Sequence, residues 1–254
     1  MVQEAASTVL ASIADERVLS PLIESLKNSD WIVRMQAARA LGRIKDQTSI
    51  PYLIPLLQDK VKAVREETST ALAAIGEAAL PALRNAIAHE DWLVRLHGVE
   101  ALGKTKSAYA VEPLLTLLFN DHDSAVREDV VRALGEIGDP QAVDYLLIVM
   151  KEPGLRVLAI EALGRIGDRR AVPALLDAAK GANQPEGMRT VSGCDDQWTE
   201  GLMAQAAAVR ALGVIKDDAA LPTLVNALQS TFTRAEAATA LTQFGPKAIP
   251  LLLP

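Results

Sequence analysis

The sequence is 254 residues long, half of them hydrophobic but only 4% aromatic, with a formal net charge of −6. The acidic balance argues against a nucleic-acid surface, which needs a basic footprint, and no apolar run approaches the roughly 18 residues of a membrane span. The one cysteine, Cys194, excludes an internal disulfide and fits a cytoplasmic setting, while Met1 to Ile13 hold Glu4 and no basic cluster, so no signal peptide is expected.

In chain order the apolar positions fall into helical pairs. Residues 2–13 (VQEAASTVLASI) read as a worn copy of a helix that recurs throughout. Val18, Leu22, Ile23 and Leu26, with Pro21 among them, precede the first clear copy, 33–44 (VRMQAARALGRI). Ile50, Leu53, Ile54 and Leu57, with Pro51, lead into 64–75 (VREETSTALAAI), and Pro81 precedes 94–105 (VRLHGVEALGKT). Val111, Leu114, Leu115 and Leu118 lead into 126–137 (VREDVVRALGEI), followed by 155–166 (LRVLAIEALGRI). Val172, Leu175 and Leu176 come next, then an insertion, then 204–215 (AQAAAVRALGVI). Pro222 precedes 233–244 (TRAEAATALTQF), and KAIPLLLP (247–254) begins a helix that stops.

The central leucines are Leu10, Leu41, Leu72, Leu102, Leu134, Leu163, Leu212 and Leu241, spaced 29 to 32 residues apart except for one interval of 49. Alanine precedes seven of them, as tight stacking requires. Each copy is a B helix with core positions at −8, −4, −1, 0 and +3 from its leucine. The patterns between copies are A helices, several with proline in a first turn, where its missing N–H costs little. Two helices per repeat without a strand pattern predict an all-α fold. The expected architecture is a right-handed α–α superhelix of about seven hairpins over 1–254, with incomplete terminal repeats at 1–14 and 246–254.

The consensus V-R-x-x-A-x-x-A-L-G-x-I after a turn aspartate resembles the HEAT repeat, in a form shorter than its usual ~40–47 residues. Short repeats of this kind are similar to the HEAT-like repeats of the phycobilin lyase E/F families and their cyanobacterial relatives. That group includes phycobilisome turnover factors and an IscA-interacting HEAT-repeat protein. The resemblance covers essentially the whole chain and is one of scaffold.

Several residues invite a functional reading. Arg34, Arg65, Arg95, Arg127, Arg156 and Arg234 recur seven before the leucine, with Asp30, Asp91 and Asp123 four residues earlier in three copies. They suit an anion-binding ladder or, better, a structural one in which Asp caps the B helix and Arg bonds neighbouring turns. Trp31 and Trp92 follow capping aspartates two repeats apart, as gap-fillers or as binding anchors. The solvent face of the B helices should line a concave groove. Its row reads Met35, Arg39 and Arg43; Glu66, Glu67 and Thr70; Leu96, His97, Glu100 and Lys104; Glu128, Asp129, Arg132 and Glu136; Val157, Leu158, Glu161 and Arg165. Exposed Leu96, Val157 and Leu158 in that row favour a protein-binding groove. The insertion, 181–201 in the sixth hairpin, carries Cys194 and Trp198. Cys194 reads as an inert thiol, a link to a partner, or a nucleophile. Asp195 and Asp196 argue against the last by raising a thiol's pKa.

Enzyme signatures are sparse. His89-Glu90 is a lone pair, whereas the HEAT-repeat deoxyhypusine hydroxylases need four such motifs, and His97 and His122 show no metal-ligand spacing with it. No phosphate loop, G-x-S-x-G or C-x-x-C is present. The first expectation is therefore a non-catalytic scaffold or chaperone that holds a protein in its groove. No cofactor of its own, nucleic acid or membrane is expected, and the oligomeric state is left open. The resemblance implies phycobiliprotein subunits or an iron–sulfur carrier as partners, with a bilin or a shared cluster as a transient guest. The groove set is Arg39, Glu66, Glu67, Trp92, Leu96, His97, Glu128, Asp129, Arg132, Val157, Leu158, Cys194 and Trp198. An alternative implied by the resemblance is a subunit of an E/F-type phycobilin lyase, with Glu66, Glu128 and Asp129 facing the pyrrole nitrogens. A structural adaptor is the third.

Overall fold

The computed structural model describes residues 16–181 and 195–252. Every regular element among them is helical, as the recurrence predicts. The chain divides into two compact units, Met1–Ala133 and Leu134–Pro254.

The first unit holds α1 (Glu16–Ser25), α2 (Trp31–Ile44), α3 (Ile50–Leu53), α4 (Lys62–Ile75), α5 (Leu80–Ala86), α6 (Trp92–Thr105), α7 (Val111–Asn120) and the larger part of α8 (Ser124–Ile137). Odd-numbered helices are the short A helices and even-numbered ones the B helices. The second unit holds the end of α8, then α9 (Val143–Val149), α10 (Arg156–Ile166), α11 (Val172–Ala179), α12 (Asp195–Ile215), α13 (Leu221–Ala227), α14 (Arg234–Phe244) and α15 (Ile249–Leu252). Of the insertion expected over 181–201, residues 182–194 lie outside the described residues and 195–201 are the first turns of α12.

Local chemistry sets the helix ends. Asp30, Asp91 and Asp123 accept backbone N–H bonds from Ile32, Leu93 and Ala125, each at 2.9 Å, and so start α2, α6 and α8. The A helices enter through short 3-10 turns that Asp46, Asp139, Asp168 and Asp217 cap in the same manner. Pro51, Pro81, Pro173 and Pro222 occupy first turns. Pro21 differs: α1 begins at Glu16, which puts this proline inside the helix.

The central leucines Leu41, Leu72, Leu102, Leu134, Leu163 and Leu212 are wholly buried, each contributing about 1.5–3 kcal/mol. Stacking depends on a notch. A Cβ built on Gly42, just after its leucine, would lie 2.6 Å from the Ala71 Cα in the next B helix. A Cβ on Gly213 would likewise lie 2.6 Å from the Ala240 Cβ. In these pairs, as in Gly135–Ala162 and Gly164–Ala211, the alanine before a leucine presses against the glycine after the preceding leucine.

Candidate functional site

On each B helix, positions −5, −2 and +2 from the leucine share one face, since residues three and four apart are neighbours. In the first unit that face carries Gln36 and Arg39 on α2, Glu67 and Thr70 on α4, His97, Glu100 and Lys104 on α6, and Asp129 and Arg132 on α8.

These side chains bond to one another across repeats. Arg39 Nη2 meets Glu67 Oε2 at 2.7 Å. Lys104 Nζ donates to Glu100 Oε1 at 2.7 Å and to Thr70 Oγ1 at 2.9 Å. His97 Nδ1 lies 2.9 Å from Glu100 Oε2, and Arg65 Nε donates to His97 Nε2 at 2.9 Å. Ser69 Oγ donates to the His97 carbonyl at 3.0 Å. Arg132 holds Asp129 and, at 3.2 Å, Glu128.

The carboxyls are unequal. Burial pushes Glu100 up, but hydrogen bonds from His97 and Lys104 outweigh it and hold the carboxyl below its ordinary value. Asp129 moves the other way. Burial, helped by the charge of Glu100, raises its carboxyl, and the Arg132 hydrogen bond only partly offsets this.

The recurring arginines build a structural ladder. Arg34 closes a two-pronged pair on Asp59, Nε at 2.7 Å and Nη2 at 2.9 Å, while Nη1 reaches the Asn28 carbonyl at 2.8 Å. Arg95 does the same to Asp121, at 2.7 and 3.0 Å, and takes the carbonyls of His89 and Glu90. Arg127, Arg156 and Arg234 bond the carbonyls of Leu118, Met150 and Leu228. Asp59 and Asp121, the acceptors in the following repeats, escape a reading of the copies alone. Both are pushed up by burial but drawn below their ordinary values by their arginines and by backbone N–H bonds.

Several expected groove residues sit differently from the sequence reading. His97 is 5% exposed, and Leu96, Val157 and Leu158 are half-buried rather than exposed. His97 lies between two B helices rather than clear in solvent, because Arg65 and Ser69 of α4 reach its ring and its carbonyl. Glu66 is exposed, whereas Glu67, Glu128, Asp129 and Arg39 are half-buried. Trp31 and Trp92 are 40% and 44% exposed at the starts of their helices. Cys194 lies outside the described residues, and Trp198 falls in α12 where only the backbone is described. His89 is a turn residue: its Nδ1 accepts the Asp91 N–H at 3.0 Å. Among the described residues no three His, Cys, Asp or Glu side chains stand together to hold a metal ion, and no helix is long and apolar enough to cross a membrane. In the second unit, Arg210 on α12 bridges Glu161 on α10, at 3.4 Å, and Glu236 on α14, at 3.6 Å.

The profile for HEAT repeats matches the chain in overlapping stretches, 1–73, 20–95, 56–116, 80–157 and 112–190. That for the PBS lyase HEAT-like repeat matches 204–230. Among curated proteins, the phycocyanobilin lyase subunit alpha of Picosynechococcus sp. PCC 7002 is 28% identical over 169 residues, covering 61% of this chain and 63% of that protein. Its namesake from Nostoc sp. PCC 7120 is 26% identical over 168 residues, covering 61% of each. The match therefore spans just over three-fifths of the length of these relatives. Among solved structures, the complex of CpcE and CpcF of phycocyanin lyase from Nostoc sp. PCC7120 is similar with a TM-score of 0.49 and 22% identity over 92% of both chains. Human deoxyhypusine hydroxylase gives 0.41 and 20% over 94% of this chain and 88% of that one.

Proposed function

The chain belongs to the HEAT-repeat family, and from that premise we propose that it is a subunit of a two-chain phycobilin lyase. It would hold a linear tetrapyrrole against the charged B-helix face while the pigment is joined to a cysteine of a phycobiliprotein. The observation that carries this reading is the match to phycocyanobilin lyase alpha subunits over 169 residues. The PBS lyase repeat at 204–230 supports it. A scaffold that only holds a protein, or one serving an iron–sulfur carrier, has no counterpart among these relatives, so the lyase reading takes precedence over the scaffold expected first.

The chemistry asks little that this face lacks. Attachment adds a thiol across a carbon–carbon double bond of the pigment: sulfur bonds one carbon and a proton goes to the other, with no oxidant or reductant. The pigment's propionates need cations, and Arg39, Lys104 and Arg132 would supply them by exchanging a carboxylate of this face for one of the pigment. Its pyrrole N–H groups need acceptors, supplied by Glu66, Glu67, Glu100 and Glu128. Asp129, whose carboxyl is raised by burial, is the group suited to deliver the proton.

The test is direct. The full chain is mixed with phycocyanobilin, a partner lyase subunit and an unpigmented phycobiliprotein. A shifted visible band, followed by pigment that stays with the phycobiliprotein on a denaturing gel, is expected. An unshifted spectrum with no retained pigment refutes the reading.

A further inference from the structure

We infer that His97 is a positioning residue: Arg65 locks its ring so that it holds the Glu100 carboxylate ready for a pyrrole N–H of the guest. The inference rests on the lyase reading for the identity of that guest. Arg65 Nε–H points at His97 Nε2 from 2.9 Å, and Arg65 is fixed in turn by its Nη1 bond to the Asp59 carbonyl at 2.7 Å. A guanidinium only donates, so Nε2 must present a lone pair. The ring proton of the neutral imidazole then sits on Nδ1, which donates to Glu100 Oε2 at 2.9 Å.

The other end of the carboxylate is equally determined. Lys104 Nζ donates to Oε1 and braces itself on Thr70 Oγ1. Each oxygen thereby has one protein donor, and a carboxylate has about four lone-pair sites. Glu100 keeps 27% of its side chain exposed while His97 keeps 6%. What results is an acceptor fixed on its buried side and open on its solvent side, arranged before a guest arrives. A histidine that merely fills the space between α4 and α6 would need the Arg65 bond but not the Glu100 bond.

The two halves can be separated, because Asn places an N–H donor where Nδ1 stands and Gln places an acceptor where Nε2 stands. Titration of the full chain together with a partner lyase subunit by phycocyanobilin, read by the visible absorption and induced circular dichroism of the pigment, compares wild type with three variants. His97→Gln and Glu100→Gln are expected to weaken binding about tenfold and to move the pigment band. His97→Asn, which keeps a donor to Glu100 but loses the Arg65 lock, is expected to bind more weakly than wild type yet more tightly than His97→Gln, and to hold the band nearer its wild-type position. A pigment band in wild type with the same affinity in the Asn and Gln variants overturns the inference alone. No pigment band in wild type overturns it together with the lyase reading.

Discussion

Arg95 grips the Asp121 carboxylate with two nitrogens, at 2.7 and 3.0 Å, across the junction between consecutive hairpins. Asp121 retains 3% of its side-chain exposure and Arg95 17%. Arg95→Ala would leave a buried carboxylate unpaired, and removing one partner of such a pair costs more than the pair itself contributes. We expect a loss of about 2–4 kcal/mol in urea unfolding. Combining Arg95→Met with Asp121→Leu should recover most of it, because apolar packing spares both groups the cost of desolvation. Lys247→Ala, which removes a pair 65% and 61% exposed, should change stability by less than about 0.5 kcal/mol. Equal losses for Arg95→Ala and Lys247→Ala would show that burial does not govern the ladder.

The same pairs fix the acid limit of the fold. Asp59, Asp121 and Glu100 all titrate below their ordinary values when folded. The unfolded chain therefore binds protons more readily than the folded one across that range, and stability rises with pH there. The contribution is whole above the unfolded carboxyl values, near pH 4, and is lost as pH falls through the lower folded values. Urea midpoints should hold steady from pH 7 to about 5 and then drop. In Asp121→Asn the drop should be shallower. An unchanged slope in that variant would remove Asp121 from the account.

Much of the fold is legible in the sequence because it is written eight times over. Leucine, its preceding alanine and the apolar spacing specify a B helix wherever they recur, and the turn aspartates specify its start. The recurring arginines are legible too, but not their targets: Asp59 and Asp121 lie in the following repeat, where no local pattern connects them to Arg34 and Arg95. Glu100 is visible as a member of the helix face, whereas the burial of His97 is not. Position −5 looks solvated on an isolated helix and becomes an inter-helix position only once α4 packs beside α6 and Arg65 and Ser69 reach His97.

The spacing of the B helices at Gly42 and Ala71 is itself testable. In an isolated helix, replacing Gly42 by Ala would stabilise by about 1 kcal/mol. Here the added Cβ would meet the Ala71 Cα at 2.6 Å and its Cβ at 2.8 Å, atoms that cannot turn aside. Overpacking of this kind costs about 1–3 kcal/mol, so steric strain should win and Gly42→Ala should lower the melting temperature. Ala71→Gly in the same chain should relieve only part of the strain, since the backbone contact remains. A Gly42→Ala protein as stable as wild type would mean that the stack can open without cost.

On the lyase reading, Asp129 should set the pH dependence of pigment attachment. Its carboxyl is raised first by burial and then by the charge of Glu100, so it carries its proton to higher pH than an ordinary aspartate. A proton donor is effective only while protonated, and the rate of pigment attachment should fall as pH rises through that value. Asp129→Asn keeps the shape but has no acidic proton to give, and attachment at saturating phycocyanobilin should slow by about 10²-fold or more. Glu100→Gln removes the neighbouring charge and lowers the Asp129 value, so at saturating pigment its fall in rate should begin at lower pH than in wild type. The pH profile of covalent attachment checks both. Full activity in Asp129→Asn, or an unmoved profile in Glu100→Gln, would assign the proton to another donor.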